Sequence, residues 1–152
     1  MADLAVALRR HERVGFDTPV FIYHIEGTTR VAEPAWVAMD ELAGGAFAGV
    51  TSVLTLMEIA VKPLQVGRPD VAEEYEVLLA NYPNLTVAAI DRRIARRAAE
   101  LRAPHRLRPA DALQVAACLE QGATAFLTND RELRRITELQ VLILEDFVAR
   151  RS

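Results

Sequence analysis

The chain has 152 residues, 51% of them hydrophobic, which suits one compact domain with a sizeable buried core. Its formal net charge of −3 and pI near 5.6 do not support a globally basic nucleic-acid binder, although such totals average away local patches. The single cysteine, Cys118, excludes an internal disulfide and offers no Cys-Cys metal spacing. A cytoplasmic, reducing setting is expected. Met1-Ala2-Asp3-Leu4 lacks the basic segment and apolar core of a signal peptide, and no run approaches the roughly 18 to 20 apolar residues of a membrane span.

Residues 2–12 read as a short surface helix with Leu4, Ala5 and Leu8 on one side, which makes 1–13 an extension ahead of a single domain at 14–152. Val14–Asp17 reads as a strand that passes straight into a helix, because Pro19 suits a first turn where its missing N–H is not needed. A helix over Glu33–Leu42 stops at Gly44-Gly45. A strand over Phe47–Thr51 leads to a helix over Val53–Val61, with Pro63 as its expected stop. Another helix covers 69–80, and Leu85–Ile90 reads as a strand. In the helix that follows, Asp91–Leu101, Ile90, Ile94, Ala98 and Leu101 are spaced for one apolar face. Pro109–Gln121 has Pro at its start and Gly122 just past its end. Ala123–Thr128 and Val141–Leu144 are the last strands.

Short apolar strands alternating with helices predict a three-layer α/β/α sandwich around a mostly parallel sheet of four or five strands, since parallel crossovers carry helices back over the sheet. Ligands of such sheets gather beyond the carboxyl ends of the strands. Asp17 and Asp130 fall at that edge. Each, taken singly, reads first as a helix cap, and Asp111 sits in a first turn where the helix dipole favours any acid. Glu58 is harder to explain. On a helical wheel it lies beside Leu54, Met57 and Val61, the side expected to face the core, and an i,i+4 pair with Lys62 would hardly offset real burial. Four hard oxygen donors without cysteine or paired histidines suit Mg²⁺ or Mn²⁺ better than zinc. Such ions, held by crowded acids, support phosphodiester hydrolysis. Nucleotide-binding loops, zinc-protease and serine-hydrolase motifs are absent from the sequence.

Four ordered segments, Asp17-Thr18-Pro19-Val20-Phe21-Ile22-Tyr23, Thr51-Ser52 through Glu58, Pro109-Ala110-Asp111-Ala112-Leu113 and Leu127-Thr128-Asn129-Asp130, resemble the PIN-domain ribonucleases, especially the VapC-like toxins of bacterial toxin–antitoxin pairs. The resemblance covers nearly all of the chain beyond residue 13. It implies a metal-dependent endoribonuclease with Asp17, Glu58, Asp111 and Asp130 as catalytic, metal-holding carboxylates and Thr128 as a supporting hydroxyl. It also implies RNA as substrate, an antitoxin protein as partner and often a homodimer. Pro19 stands where the family often has a small polar residue, and residues 1–13 extend beyond its usual start. A turn-stabilising role suits Thr128 equally well.

Arg92, Arg93, Arg96, Arg97, Arg102, Arg106 and Arg108 form a basic stretch suited either to RNA phosphates or to a solvated helix face. Asp70, Glu73, Glu74 and Glu76 read as an exposed acidic face. His24 and His105 read as structural or exposed rather than as proton shuttles. Trp36, Phe47 and Tyr75 read as core or partner surface. Two other functions stay open at this stage: a non-catalytic module of the same fold that binds RNA or protein, and a phosphotransfer domain using Asp17 as nucleophile, which lacks the expected second nearby acid.

Overall fold

A computed structural model describes residues 3–149, so Met1, Ala2 and the ends of the expected extension and domain lie outside the described residues. Five strands, β1 (Arg13–Phe16), β2 (Ala48–Ser52), β3 (Leu85–Ala88), β4 (Ala125–Thr128) and β5 (Gln140–Ile143), form one sheet of order β3-β2-β1-β4-β5. All four pairings are parallel. The helices are α1 (Leu4–Arg9), α2 (Thr18–Glu26), α3 (Ala32–Ala43), α4 (Val53–Gln65), α5 (Pro69–Ala80), α6 (Arg92–His105) and α7 (Pro109–Glu120), with short 3₁₀ turns at Arg131–Arg135 and Leu144–Phe147.

Period-two alternation divides the core between the two faces of the sheet. Val14, Phe16, Ala125 and Leu127 pack into one cluster with Phe21, Ala35, Met39 and Leu42 of α2 and α3. Val50 and Phe126 pack into the other with Ile94, Leu101, Val115 and Cys118 of α6 and α7. Both faces are covered, which is why the strands read as nearly continuous apolar runs. Leu4 and Leu8 of α1 are buried in the first cluster, and Arg9 pairs with Glu41 on α3 at 2.7 Å. Gly15 matters to the site: a Cβ there would meet Cys118 Sγ at 2.7 Å, so its absence lets α7 lie close against β1.

Two expectations are corrected. Pro63 does not end α4, which runs on to Gln65. Pro63 is buried, and that packing holds the last turn although the proline contributes no backbone donor. Nor does the side of α4 carrying Glu58 face the core. Thr55, Ile59 and Pro63 are the buried positions, whereas Glu58 is exposed and its neighbours Met57 and Val61 keep 56% and 46% exposure. The helix carries two apolar stripes, and the one beside Glu58 is left uncovered. Lys62 pairs with Glu26 at 3.4 Å rather than with Glu58. Among the described residues, no helix is long and apolar enough to cross a membrane.

Candidate metal centre

The strand order reverses at β1. The chain steps from β1 out to β2 and β3, then returns to lay β4 on the other side of β1, which opens a crevice at the carboxyl ends of β1 and β4. Asp17 follows β1, Thr128 ends β4, and Asp130 lies two residues further on. The helix after β2 brings Glu58, and α7 brings Asp111 in its first turn.

Asp17 is both a helix cap and a site residue. Its Oδ1 accepts the Thr18 amide at 2.9 Å and its Oδ2 accepts the Thr128 hydroxyl at 2.7 Å. Burial pushes its carboxyl up to about 6, the two hydrogen bonds oppose that shift, and the charges of Asp111 and Glu58 add to it. No cation lies within ion-pair distance of Asp17 or Glu58 among the described residues. Thr18 joins these two acids, because its hydroxyl donates to Glu58 Oε1 at 2.7 Å while its amide holds Asp17. Thr128 joins another pair, because its oxygen also accepts the Asp130 amide at 3.2 Å. Asp130 in turn caps the following 3₁₀ turn through Glu132 N at 3.0 Å.

Asp111 and Asp130 share a guanidinium. Arg108 Nε donates to Asp111 Oδ2 at 3.0 Å and Nη2 to Asp130 Oδ2 at 3.4 Å. The four acids thus stand as two linked pairs, and as their side chains lie no three acids, histidines or cysteines among the described residues enclose an ion. The donor chemistry nonetheless fits a hard divalent cation. Every donor is an oxygen, and Asp17 is a buried carboxylate with like charges beside it and no protein cation to offset them.

Behind the acids lies a buried polar network absent from the sequence reading. Gln114, one turn beyond Asp111, donates to Thr55 Oγ1 at 2.8 Å and to Thr51 Oγ1 at 3.3 Å, and its Oε1 accepts the Ser52 hydroxyl. Thr55, one turn before Glu58, lies 3.0 Å from the Thr18 hydroxyl, and Thr51 donates to Phe16 O at 2.9 Å. All five side chains are buried. The network ties the helices bearing Asp111 and Glu58 to β1, the strand just before Asp17. Its sequence signal was an amide inside the apolar run Ala112-Leu113-Gln114-Val115-Ala116.

The remaining candidates lie elsewhere. His24 packs on Trp36 with ring centroids 4.4 Å apart, and His105 pairs with Glu138 at 2.8 Å. The basic stretch does not form one face toward the acids: Arg93 approaches Glu120 at the far end of α7, Arg97 pairs with Glu100 and Arg102 donates to Leu107 O. Arg108 alone reaches the acids. Asp70 pairs with Arg68, and Glu73, Glu74 and Glu76 are exposed.

A parallel α/β sandwich with carboxylates near its switch point defines a class of protein whose ligands bind at the carboxyl ends of the strands, here between β1 and β4. The PIN domain family model matches residues 15–139, and the chain belongs to the PIN domain family. No curated protein matches the sequence significantly. Among solved structures, VapBC2 from Rickettsia felis bound to a promoter DNA fragment is similar, with a TM-score of 0.68 at 15% identity over 86% of this chain and 98% of that one. DNA-bound VapBC from Salmonella typhimurium gives 0.65 at 19% identity over 87% and 98%. A toxin–antitoxin complex from Klebsiella pneumoniae gives 0.64 at 20% over 86% and 97%. At these identities the likeness concerns the fold.

Proposed function

We propose that the protein is an endoribonuclease dependent on Mg²⁺ or Mn²⁺, with Asp17, Glu58, Asp111 and Asp130 as its metal-holding carboxylates and Thr128 as their supporting hydroxyl. The observation that carries this reading is Asp17: a buried carboxylate, raised to about 6 and without a cation, at the switch point of a PIN fold. A divalent ion held there supplies activation of water and neutralisation of charge at the attacked phosphate. Thr18 and Thr128 orient the Asp17 oxygens, and the Gln114 network fixes the spacing of α4 and α7. The test is cleavage of single-stranded RNA by the purified protein with Mn²⁺, its arrest by EDTA, and its loss in Asp17→Asn and Asp111→Asn. Metal-independent cutting, or full activity in both variants, contradicts the reading. If RNA or a protein partner binds with no cutting under any of these conditions, the non-catalytic module is the better description.

We further propose that this nuclease is the toxin of a type II toxin–antitoxin pair, in the cytoplasm, and that it forms a homodimer. Two surfaces support partners. A groove of about 420 Å³ between α2, α4 and α5, lined by Ile22, Ile59, Pro63, Val66 and Tyr75, reaches Glu58 at its rim, so a chain seated in it would cover one of the four acids. The second surface is the uncovered stripe of α4, where Met57, Val61 and Leu64 are exposed. A gene for a small DNA-binding protein immediately upstream supports the toxin assignment, and co-purification of its product with loss of RNA cleavage tests it. We also treat residues 14–152 as the nuclease domain and 1–13 as an extension to it.

A further inference from the structure

Arg108 is the one Lys, Arg or His within ion-pair distance of any of the four acids among the described residues. It occupies the N-cap position of α7, with an extended backbone at φ −65° and ψ 150°, and makes no capping hydrogen bond with its side chain. Its carbonyl accepts the Ala112 amide at 3.0 Å, and Pro109 follows it, so the backbone that carries the side chain is fixed. The guanidinium is not. The side chain is 75% exposed, against 19% for Asp111 and 32% for Asp130. An ion pair with one partner this exposed is weak and readily exchanged. A guanidinium also cannot lose its charge to make way for another cation; it has to move.

The geometry points to Arg108 as a displaceable counter-cation, a charge the chain itself lends to Asp111 and Asp130 until a divalent ion takes their oxygens. This rests on the metal-site reading above. The guanidinium and a metal ion compete for the same two carboxylates: Arg108 engages Oδ2 of each, Asp130 Oδ1 already accepts the Glu132 amide, and two cations held this close repel each other. Without metal, Arg108 limits the repulsion that would splay these two acids apart. With metal, the side chain leaves, while its Cα stays at the start of α7 beside the site. Metal uptake is then an exchange of cations, and its affinity is set below what the four acids alone would give.

The experiment is calorimetric titration of Mn²⁺ into the full-length wild type and into Arg108→Gln, with circular dichroism confirming an unchanged fold. The glutamine keeps a polar, if shorter, side chain and removes the charge. The expected result is Mn²⁺ binding roughly three- to tenfold tighter in Arg108→Gln, the range set by losing one exposed competing charge and its repulsion of the incoming ion. Equal or weaker binding in the variant overturns the counter-cation role and leaves the metal site in place. Absence of Mn²⁺ binding in both proteins overturns the metal-site reading and the counter-cation role with it.

Discussion

The Thr128 hydroxyl donates to Asp17 Oδ2 at 2.7 Å, joining the carboxyl ends of two adjacent parallel strands, β4 and β1. A hydrogen bond to a charged group contributes about 1.5 to 3 kcal/mol, and this one pulls the Asp17 carboxyl down against its burial. Thr128→Val removes the donor at nearly constant shape, so Asp17 rises beyond about 6 and less of it is ionised at neutral pH. The expected outcome is Mn²⁺ binding weakened roughly tenfold at neutral pH, because a proton competes with the ion for Asp17, with the acid limb of the binding profile moved to higher pH. Thr128→Ser restores both. An unchanged profile in Thr128→Val would limit the residue to a turn-stabilising role.

Asp17 also imposes a pH dependence on stability. Its folded value of about 6 lies above its ordinary 3.8, so between these values the folded protein holds a proton that the unfolded chain has released. Metal-free stability therefore falls as pH rises through that window and stays low above it, by on the order of 3 kcal/mol for a group this buried. Urea denaturation of wild type and Asp17→Asn in EDTA is expected to show the variant gaining on the wild type from about pH 4 to about pH 7. Mn²⁺ recovers the lost stability in the wild type and not in the variant.

Gln114 has three partners in the buried network, Ser52, Thr51 and Thr55. Gln114→Leu preserves volume approximately but leaves the buried Ser52 hydroxyl without its acceptor and takes one partner each from Thr51 and Thr55, at a cost of about 2 to 3 kcal/mol. The expected outcome is a lower denaturation midpoint with an unchanged denaturant slope. RNA cleavage should fall as well, because the spacing of the helices bearing Glu58 and Asp111 is no longer held.

The exposed stripe of α4 gives the proposed homodimer a mutational handle. Val61→Lys adds a charge at a position already 46% exposed, so a monomer loses less than about 0.5 kcal/mol. If the stripe is the dimer contact, sedimentation equilibrium of the variant yields the mass of one chain where the wild type yields two. A wild-type monomer, or a dimer indifferent to this substitution, removes α4 from the account.

Much of the fold was legible because punctuation agreed with periodicity. Pro19, Pro69 and Pro109 stand in the first turns of α2, α5 and α7, and the apolar spacing of Ile94, Ala98 and Leu101 matches the buried face of α6. Pro63 misled by the same rule, and Pro104 also stands within its helix. Each lies inside the final turns of its helix, where few backbone bonds remain to be lost. The four acids were found as residue types at strand ends and helix starts. Their pairing through Thr18 and Arg108 was not, since it depends on which strands become neighbours. Glu58 was placed on the wrong surface because a helical wheel shows apolar stripes without showing which one meets the chain's own core. Arg108 was read as one of seven arginines, and its distinction arises from standing three residues before Asp111 while β4 brings Asp130 alongside.

The most direct measurement is anomalous diffraction at the manganese edge from crystals soaked in Mn²⁺. The account predicts a peak in the crevice between β1 and β4, with carboxylate oxygens of Asp17 and its companion acids around it and the Arg108 guanidinium withdrawn from Asp111 and Asp130. A crevice without a peak, or manganese bound only at other surfaces while Arg108 still spans those two acids, would contradict it.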